Sequence, residues 1–202
     1  MSRREALTID ANGNTTSSSG ITNTYEFENR MTGHGSLSLV YDGDGNRVSE
    51  TVGGNATKYL VDDQNPTGLQ QVRDELVSGS VTRTDAYGLE RISENQFING
   101  TWTPSFYGYN GHGNVRFQTN ASGAITDTYD YDSFGMPIRN SGTTSNSFLY
   151  SIERYDSTIG LYDLRARYYN QAIGRLWARD PVEGMQCSAL TLNPYIYTLI
   201  IP

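Results

Sequence analysis

The sequence is poor in lysine and cysteine. Only Lys58 among the 15 basic residues is a lysine, and the formal net charge is −7, so no basic stripe is present to neutralise a run of phosphates. We therefore expect no nucleic-acid partner for this segment. Cys187 is the single cysteine, which excludes an internal disulfide and any zinc site built from several cysteines.

Membrane and export signals are missing as well. No uninterrupted apolar stretch reaches the roughly 18 residues that a membrane-spanning helix needs, and Asn193 and Pro194 break the stretch from Leu190 to Pro202. The arginine pair near the N-terminus has no apolar run behind it, so it does not begin a secretory signal peptide. We expect no membrane span and no signal peptide in this segment.

What is abundant favours β structure. The chain has 21 glycines and 15 tyrosines with 36% apolar residues, a composition typical of short strands joined by tight turns. From Leu37 onward apolar and polar residues alternate, which predicts antiparallel hairpins with turns at 42–45, 53–55, 120–123 and 132–135. We interpret the polar tract at 9–24 as a flexible lead or a long hairpin tip. The predicted fold class is all-β, built from antiparallel β-hairpin repeats.

A short repeat of the form Tyr-Asp/Asn-x-x-Gly accompanies these turns. The tyrosine is predicted to end a strand, the Asp or Asn oxygen to accept hydrogen bonds from the turn's amides, and the glycine to take a positive φ. The three clear copies are Tyr41, Asp42 and Gly45; Tyr109, Asn110 and Gly113; and Tyr131, Asp132 and Gly135. The repeat unit is therefore a strand followed by its turn.

The repeats resemble the YD repeats of the RHS family, most closely over 106–184. A segment further on looks like the signature of the RHS repeat-associated core. The residues that carry this second likeness are Gly160, Leu161, Tyr162, Leu164, Arg165, Ala166, Arg167, Tyr168, Tyr169, Gly174, Arg175 and Pro181. Two features depart from the family pattern. Gln171 stands where the family usually has a proline, and the second Asp-Pro-x-Gly of the family is absent, so we interpret the chain as truncated.

The resemblance implies a spiral of β-hairpins that forms a hollow shell around a toxic C-terminal domain, as in bacterial polymorphic toxins and the C subunits of insecticidal Tc complexes. It divides the chain into a polar lead with a degenerate first repeat at 1–35, YD-repeat hairpins at 36–150, and the repeat-associated core at 151–202. The implied partners are further YD repeats and a toxin cargo, and the implied location is secreted or cell-surface. No cofactor or metal is implied. A segment of this size should be an incomplete shell, a curved open sheet with exposed edges.

Catalysis has to be considered at one place. The family's core is similar to an aspartyl autoprotease, and the resemblance makes Asp180 one catalytic carboxylate and Arg179 a supporting charge. Such chemistry needs two carboxylates that share a proton. The alternative, which we favour, is that Asp180 is a turn residue capping the backbone before Pro181.

Three smaller groups of residues could be functional sites, but each also has a structural explanation. Residues 42–46 imitate the first half of a calcium loop, but Arg47 occupies the required glycine position, so we predict an ordinary turn. Arg165 and Arg167 would share one face of a strand, where pairing with nearby carboxylates is favoured over binding an anionic ligand. His34 and His112 each lie between glycines and support no catalytic triad.

A third function remains open at this point. A surface rich in Tyr and Trp, including Trp102, Tyr107 and Trp177, would suit a module that binds a glycan or a cell-surface protein.

Overall fold

The computed structural model describes residues 7–182 and 192–197. Within them the fold is almost entirely antiparallel β, which confirms the predicted class, and the one helical element is a 3₁₀ turn at Tyr150–Ile152. Fourteen strands follow one another in chain order in one sheet, which does not close. We call it the wall sheet. Its strands are β1 Thr8–Ile9, β2 Thr15–Ser18, β3 Ile21–Tyr25, β4 Met31–His34, β5 Leu37–Tyr41, β6 Arg47–Val52, β7 Asn55–Asp62, β8 Gln71–Val77, β9 Ser80–Tyr87, β10 Arg91–Ile98, β11 Thr101–Tyr109, β12 Val115–Thr119, β13 Ile125–Tyr131 and β14 Pro137–Ser141.

A second, smaller sheet follows the wall sheet in the chain. It has four antiparallel strands, again in chain order, and we call it the inner sheet. Its strands are β15 Arg154–Asp156, β16 Leu161–Asp163, β17 Tyr168–Asn170 and β18 Arg175–Leu176. Most of the signature residues named from the sequence lie in strands β16 to β18 or in the turns between them.

The four hairpin turns lie where the alternation of apolar residues predicted them. The strands that flank them pair at Tyr41 with Arg47, at Val52 with Asn55, at Thr119 with Ile125 and at Tyr131 with Pro137. The register is thus set by the turns, because a slip of one residue would turn every inward side chain outward.

The interpretation of residues 9–24 as a flexible lead or a long hairpin tip was wrong. This tract supplies strands β2 and β3 of the wall sheet. Its buried groups are polar but paired: the Asn23 Nδ2 donates to the Thr15 carbonyl at 2.7 Å, and the Asn23 Oδ1 lies 2.7 Å from the His34 Nδ1. Hydrogen bonding rather than apolar character therefore holds these strands, which is why hydropathy gave no sign of them. The division of the chain at 35 and 150 stays a prediction.

The inner sheet is buried on both faces by one curved wall. Leu161 and Tyr168 pack with Leu37 and Leu39 of β5, in a cluster that includes Trp177. Their chain neighbours Tyr162 and Tyr169 point to the opposite face and pack with Val115 and Tyr129 of β12 and β13. Since β5 and β12 belong to the same sheet, the wall must curl around the inner sheet.

Main-chain hydrogen bonds tie two distant strands of the wall sheet to the segments that come just before and just after the inner sheet in the chain. The Thr15 N–H donates to the Trp177 carbonyl at 3.3 Å beside β2, and the Val115 N–H donates to the Leu149 carbonyl at 2.9 Å beside β12. The Tyr162 hydroxyl adds a 3.0 Å bond to the carbonyl of Gly135, in a repeat turn. The inner sheet is therefore held inside the curl at several points along it.

Candidate functional site

The repeat turn is built around a single acidic side chain. The Asp42 Oδ1 accepts hydrogen bonds from the N–H groups of Asp44 at 3.0 Å and Asn46 at 2.8 Å. Gly45 closes the turn at a φ of +86°. These bonds stabilise the ionised carboxylate and lower the pKa of Asp42, although its partial burial acts in the opposite direction. The carboxylate is therefore engaged by the turn that it shapes.

The other copies repeat this geometry. Asn110 and Asp132 each accept hydrogen bonds through Oδ1 from the backbone N–H groups two and four residues further on. Gly113 and Gly135 have φ values of +75° and +86°. The predicted positive φ at all three repeat glycines is confirmed.

Two further copies of this turn were not recognised as repeats, although a hairpin turn at 120–123 was predicted. Asp10 and Asn120 cap their turns in the same way, with Gly13 and Gly123 at positive φ. Neither is preceded by tyrosine, since Ile9 and Thr119 stand in that place. A search for Asp or Asn three residues before Gly, without the tyrosine, would have found both.

Tyr25 and two of the repeat tyrosines, Tyr41 and Tyr109, connect one hairpin to the one before. The hydroxyl of Tyr41 donates to the Met31 carbonyl at 2.8 Å, and that of Tyr25 donates to the Thr15 carbonyl at 2.8 Å. The acceptor in both cases is the first residue of the strand after the preceding turn. Tyr109 makes the same bond to the β10 residue Arg91, at 2.6 Å. Burial raises the pKa of these hydroxyls, so they remain donors.

Arg165 and Arg167 of the core signature do not lie in a strand, contrary to the shared face expected for them. They lie in the turn between β16 and β17, where Arg165 takes a φ of +68°. Each pairs with a carboxylate, as favoured: Arg165 with Glu153 and Arg167 with Asp180, both at 2.8 Å. The tight turn breaks the period-two alternation on which the expectation depended.

Asp180 lines an open cleft of about 640 Å³ beside the turns at 10–14 and 26–30. Its Oδ1 accepts the Val182 N–H at 2.9 Å, and its Oδ2 faces the Arg167 Nη1 at 2.8 Å. The Val182 amide and the Arg167 guanidinium lower the pKa of this carboxyl. Glu28 lines the same cleft, but it is ion-paired with Arg30.

Arg179 does not reach toward Asp180 as a supporting charge. Its N–H donates to the Gly13 carbonyl at 3.1 Å, and its side chain packs over Gly13. The geometry of Asp180 is that of a capped turn held by an ion pair. A catalytic role for Asp180 and Arg179 stays a prediction.

Charged residues buried between the two sheets were missed by the sequence analysis. Arg47 has a side chain only 4% exposed and contacts Asp156 and Asp163 of the inner sheet. Deeper along the wall, Arg83 and Arg91 pair with Asp85 and Glu94. One sequence feature could have indicated this cluster. Arg47 occupies the position after the turn that an apolar residue, Val115, occupies in another repeat.

The proposed Tyr and Trp surface does not exist as one surface. Trp177 is buried in the cluster that includes Leu161 and Tyr168, and the Tyr107 hydroxyl donates to Glu94 at 2.8 Å. Trp102 is exposed on the other face of the wall, where it contacts Phe97. The three residues were grouped by type, and strand alternation separates them.

Known proteins resemble this chain in sequence or in architecture. No protein-family model matches the chain. The tRNA3(Ser)-specific nuclease WapA of Bacillus spizizenii is 32% identical over 204 residues, which cover 96% of this chain and 8% of that protein. The tRNA nuclease WapA of Bacillus subtilis strain 168 is 31% identical over 203 residues, with the same coverage. Among solved structures, the crystal structure of TcdB2-TccC3 matches 93% of this chain and 10% of that chain, with a TM-score of 0.68 and 19% identity.

The chain is a segment of an RHS/YD-repeat protein. The likeness to TcdB2-TccC3 establishes the shell-type fold, and the WapA proteins extend the likeness to the sequence over nearly the whole segment. The RHS/YD-repeat segment spans less than a tenth of the WapA proteins. Among its described residues, no helix is long and apolar enough to cross a membrane.

Proposed function

We propose that this RHS/YD-repeat segment is a wall and internal plug of a hollow β shell that encloses a C-terminal toxin domain in the full-length protein. The inner sheet carries the proposal. It is packed on both faces by a single curled wall, so it fills the curl at this point. Further repeats would extend the curl into a chamber and would pair with β1 and β14, the two end strands of the wall sheet among the described residues.

The charge of the segment supports a division of labour within the full-length protein. The WapA relatives are named as tRNA nucleases, whereas this segment carries a net charge of −7. A surface of this sign repels phosphates, so we assign any nucleic-acid chemistry to a separate cargo domain. We infer that the full-length protein is secreted or displayed at the cell surface, where such a cargo would be delivered.

Protease protection of the full-length protein tests this function. We expect electron microscopy to show a hollow particle, and the domain after this segment to resist protease until denaturant opens the shell. The same domain expressed alone is the matched control and should be cleaved rapidly. Cleavage of the attached domain at the rate of the isolated one would contradict enclosure.

A further inference from the structure

An unequal set of charges is buried where the wall sheet meets the inner sheet. Each sheet supplies one arginine and two carboxylates. The wall sheet supplies Arg47, Glu50 and Glu75, and the inner sheet supplies Arg154, Asp156 and Asp163. We call these six residues the seam cluster.

Both arginines of the seam cluster reach across the boundary. Arg47 lies 2.8 Å from the Asp156 Oδ2 and 3.4 Å from the Asp163 Oδ2. Arg154 lies 3.7 Å from Glu50 and 4.0 Å from Glu75, and its guanidinium covers the Tyr59 ring of β7 at 4.3 Å. The contacts of this cluster therefore join the two sheets and do not merely brace one of them.

The charges of the seam cluster do not balance. Two guanidiniums face four carboxylates, and none of the six side chains is more than 19% exposed. Fully ionised, the cluster would bury two uncompensated negative charges, which is costly in a poorly solvated site. Glu75 adds to this cost, since its Oε1 is buried without a hydrogen-bond partner among the described residues.

The groups around the seam cluster leave this excess in place. Arg83 faces Glu75 across β8 and β9 but is paired with its own carboxylates, Asp85 and Glu94. Burial lowers the pKa of His34, near Asp156, and so favours its neutral form. Among the described residues, further charged or titratable neighbours include Arg73 over the Tyr87 ring, Glu153 paired with Arg165, and the Tyr41, Tyr59 and Tyr168 hydroxyls, whose pKa is raised by burial.

We propose that the seam cluster is a proton-dependent lock between the wall and the inner sheet. It binds a proton as the pH falls toward mildly acidic values, which tightens the attachment, and releases it as the pH rises, which loosens the attachment. The lock would act on the inner sheet whatever the shell encloses. Because the six carboxylates and guanidiniums are close, the proton belongs to the cluster as a whole.

The direction of the effect follows from linkage. Burial raises the pKa of Asp163, although Arg47 and Arg154 oppose the change. An acid whose pKa is raised on folding contributes stability below its folded pKa and loses it as the pH rises through that value. Protonating His34, whose pKa is lowered, acts in the opposite direction over the same pH range. The test therefore compares the pH dependence of the folding equilibrium constant in a seam variant with that in the wild type.

Denaturant unfolding of the 202-residue chain at pH 5.5 and pH 8.0 measures that difference. In wild type, the seam contribution should favour folding at pH 5.5. The substitution Glu75→Gln removes one negative charge through the longest contact in the cluster, and it should reduce the pH-dependent change in the folding equilibrium constant by on the order of tenfold. Asp130→Asn, on an exposed pair with Arg116, is the matched control and should leave the change as in wild type. An equal pH dependence in Glu75→Gln and wild type would overturn the proposal.

A second measurement needs no change in the seam. Trp177 lies in the inner-sheet cluster and Trp102 on the outer face of the wall. In a Trp102→Phe chain, acrylamide quenching of the remaining tryptophan reports the seating of the inner sheet. Quenching should be stronger at pH 8.0 than at pH 5.5, at denaturant concentrations well below the midpoint of unfolding. Quenching that stays constant or decreases would overturn the lock even if Glu75→Gln failed to fold.

Discussion

The Tyr41 hydroxyl donates a 2.8 Å hydrogen bond to the Met31 carbonyl, and this bond links two successive repeats. Tyr41 ends one strand, whereas Met31 begins the strand after the preceding turn. Tyrosine in the repeat is thus both a packed ring and a donor to its neighbour. This accounts for tyrosine at positions 41 and 109, where phenylalanine would supply the same ring but no donor.

Replacing Tyr41 with Phe should therefore destabilise the fold although the ring is kept. The variant leaves the Met31 carbonyl without its donor, at a cost of about 1 kcal/mol. Tyr131→Phe is the matched control, because the Tyr131 hydroxyl is buried without a hydrogen-bond partner among the described residues. Urea unfolding should show a lower free energy of unfolding for Tyr41→Phe and an unchanged one for Tyr131→Phe. Equal losses would show that the tyrosine bond does not stabilise the repeat.

Replacing Gly135 with Ala should cost more than the same change at Gly123. Both glycines have a positive φ, so each substitution carries a backbone penalty of about 1 kcal/mol. A Cβ at Gly135 would also lie 2.6 Å from the Tyr150 ring, whereas one at Gly123 meets nothing within 4 Å. Thermal unfolding of both variants separates strain from steric overlap. Identical shifts in Tm would mean that Tyr150 moves aside freely.

The sequence predicted the hairpins well because their determinants are local. A capping Asp or Asn and a glycine at fixed spacing specify the turn, and alternation specifies the strands on either side. The polar strands β2 and β3 were missed because Asn23 and His34 are held by hydrogen bonds that hydropathy does not register.

The candidate site was less predictable because its contacts are long-range. Arg167 and Asp180 are 13 positions apart along the chain, and Arg47 lies more than 100 positions from Asp156. Nothing local indicates either pair. The curl of the wall around the inner sheet depends on which residues of β16 and β17 face each way, and that became visible only with the tertiary fold.

Removing the carboxylate of Asp42 should destabilise its turn in a pH-dependent way. The lowered pKa of Asp42 means that its ionised form contributes stability above pH 4 and loses it as the pH falls through the folded value. Asp42→Asn keeps the Oδ1 acceptor, as Asn110 does naturally, so it should lower the free energy of unfolding only slightly at pH 7. Asp42→Ala removes both Oδ1 bonds and should cost about 1–2 kcal/mol at pH 7. Chemical unfolding should show that the difference in free energy of unfolding between wild type and Asp42→Asn is smaller at pH 3 than at pH 7. A gap that widens in acid would contradict this account.

The final prediction is that the 202-residue chain does not cleave itself near neutral pH. An aspartyl mechanism needs two carboxyls that share a proton, so that one activates water while the other protonates the leaving amide. Asp180 is instead paired with Arg167 and bonded by the Val182 amide, and both interactions lower its pKa and hold it ionised. A misplacement of about 1 Å can already cost roughly 100-fold in rate, so an ion-paired single carboxylate is a poor catalyst.

Mass spectrometry after long incubation at pH 7 should show the intact chain for wild type and for Asp180→Asn alike. The incubation must avoid hot acid, because the bond between Asp180 and Pro181 is chemically labile there. Arg167→Gln provides the sharper version of the test, since it frees the Asp180 carboxylate from its ion pair while leaving the Val182 hydrogen bond. If a defined fragment appeared in wild type or in Arg167→Gln and disappeared on adding Asp180→Asn, the carboxylate would be catalytic. The capped turn at Asp180 would then be the resting form of a protease rather than a structural corner of the shell.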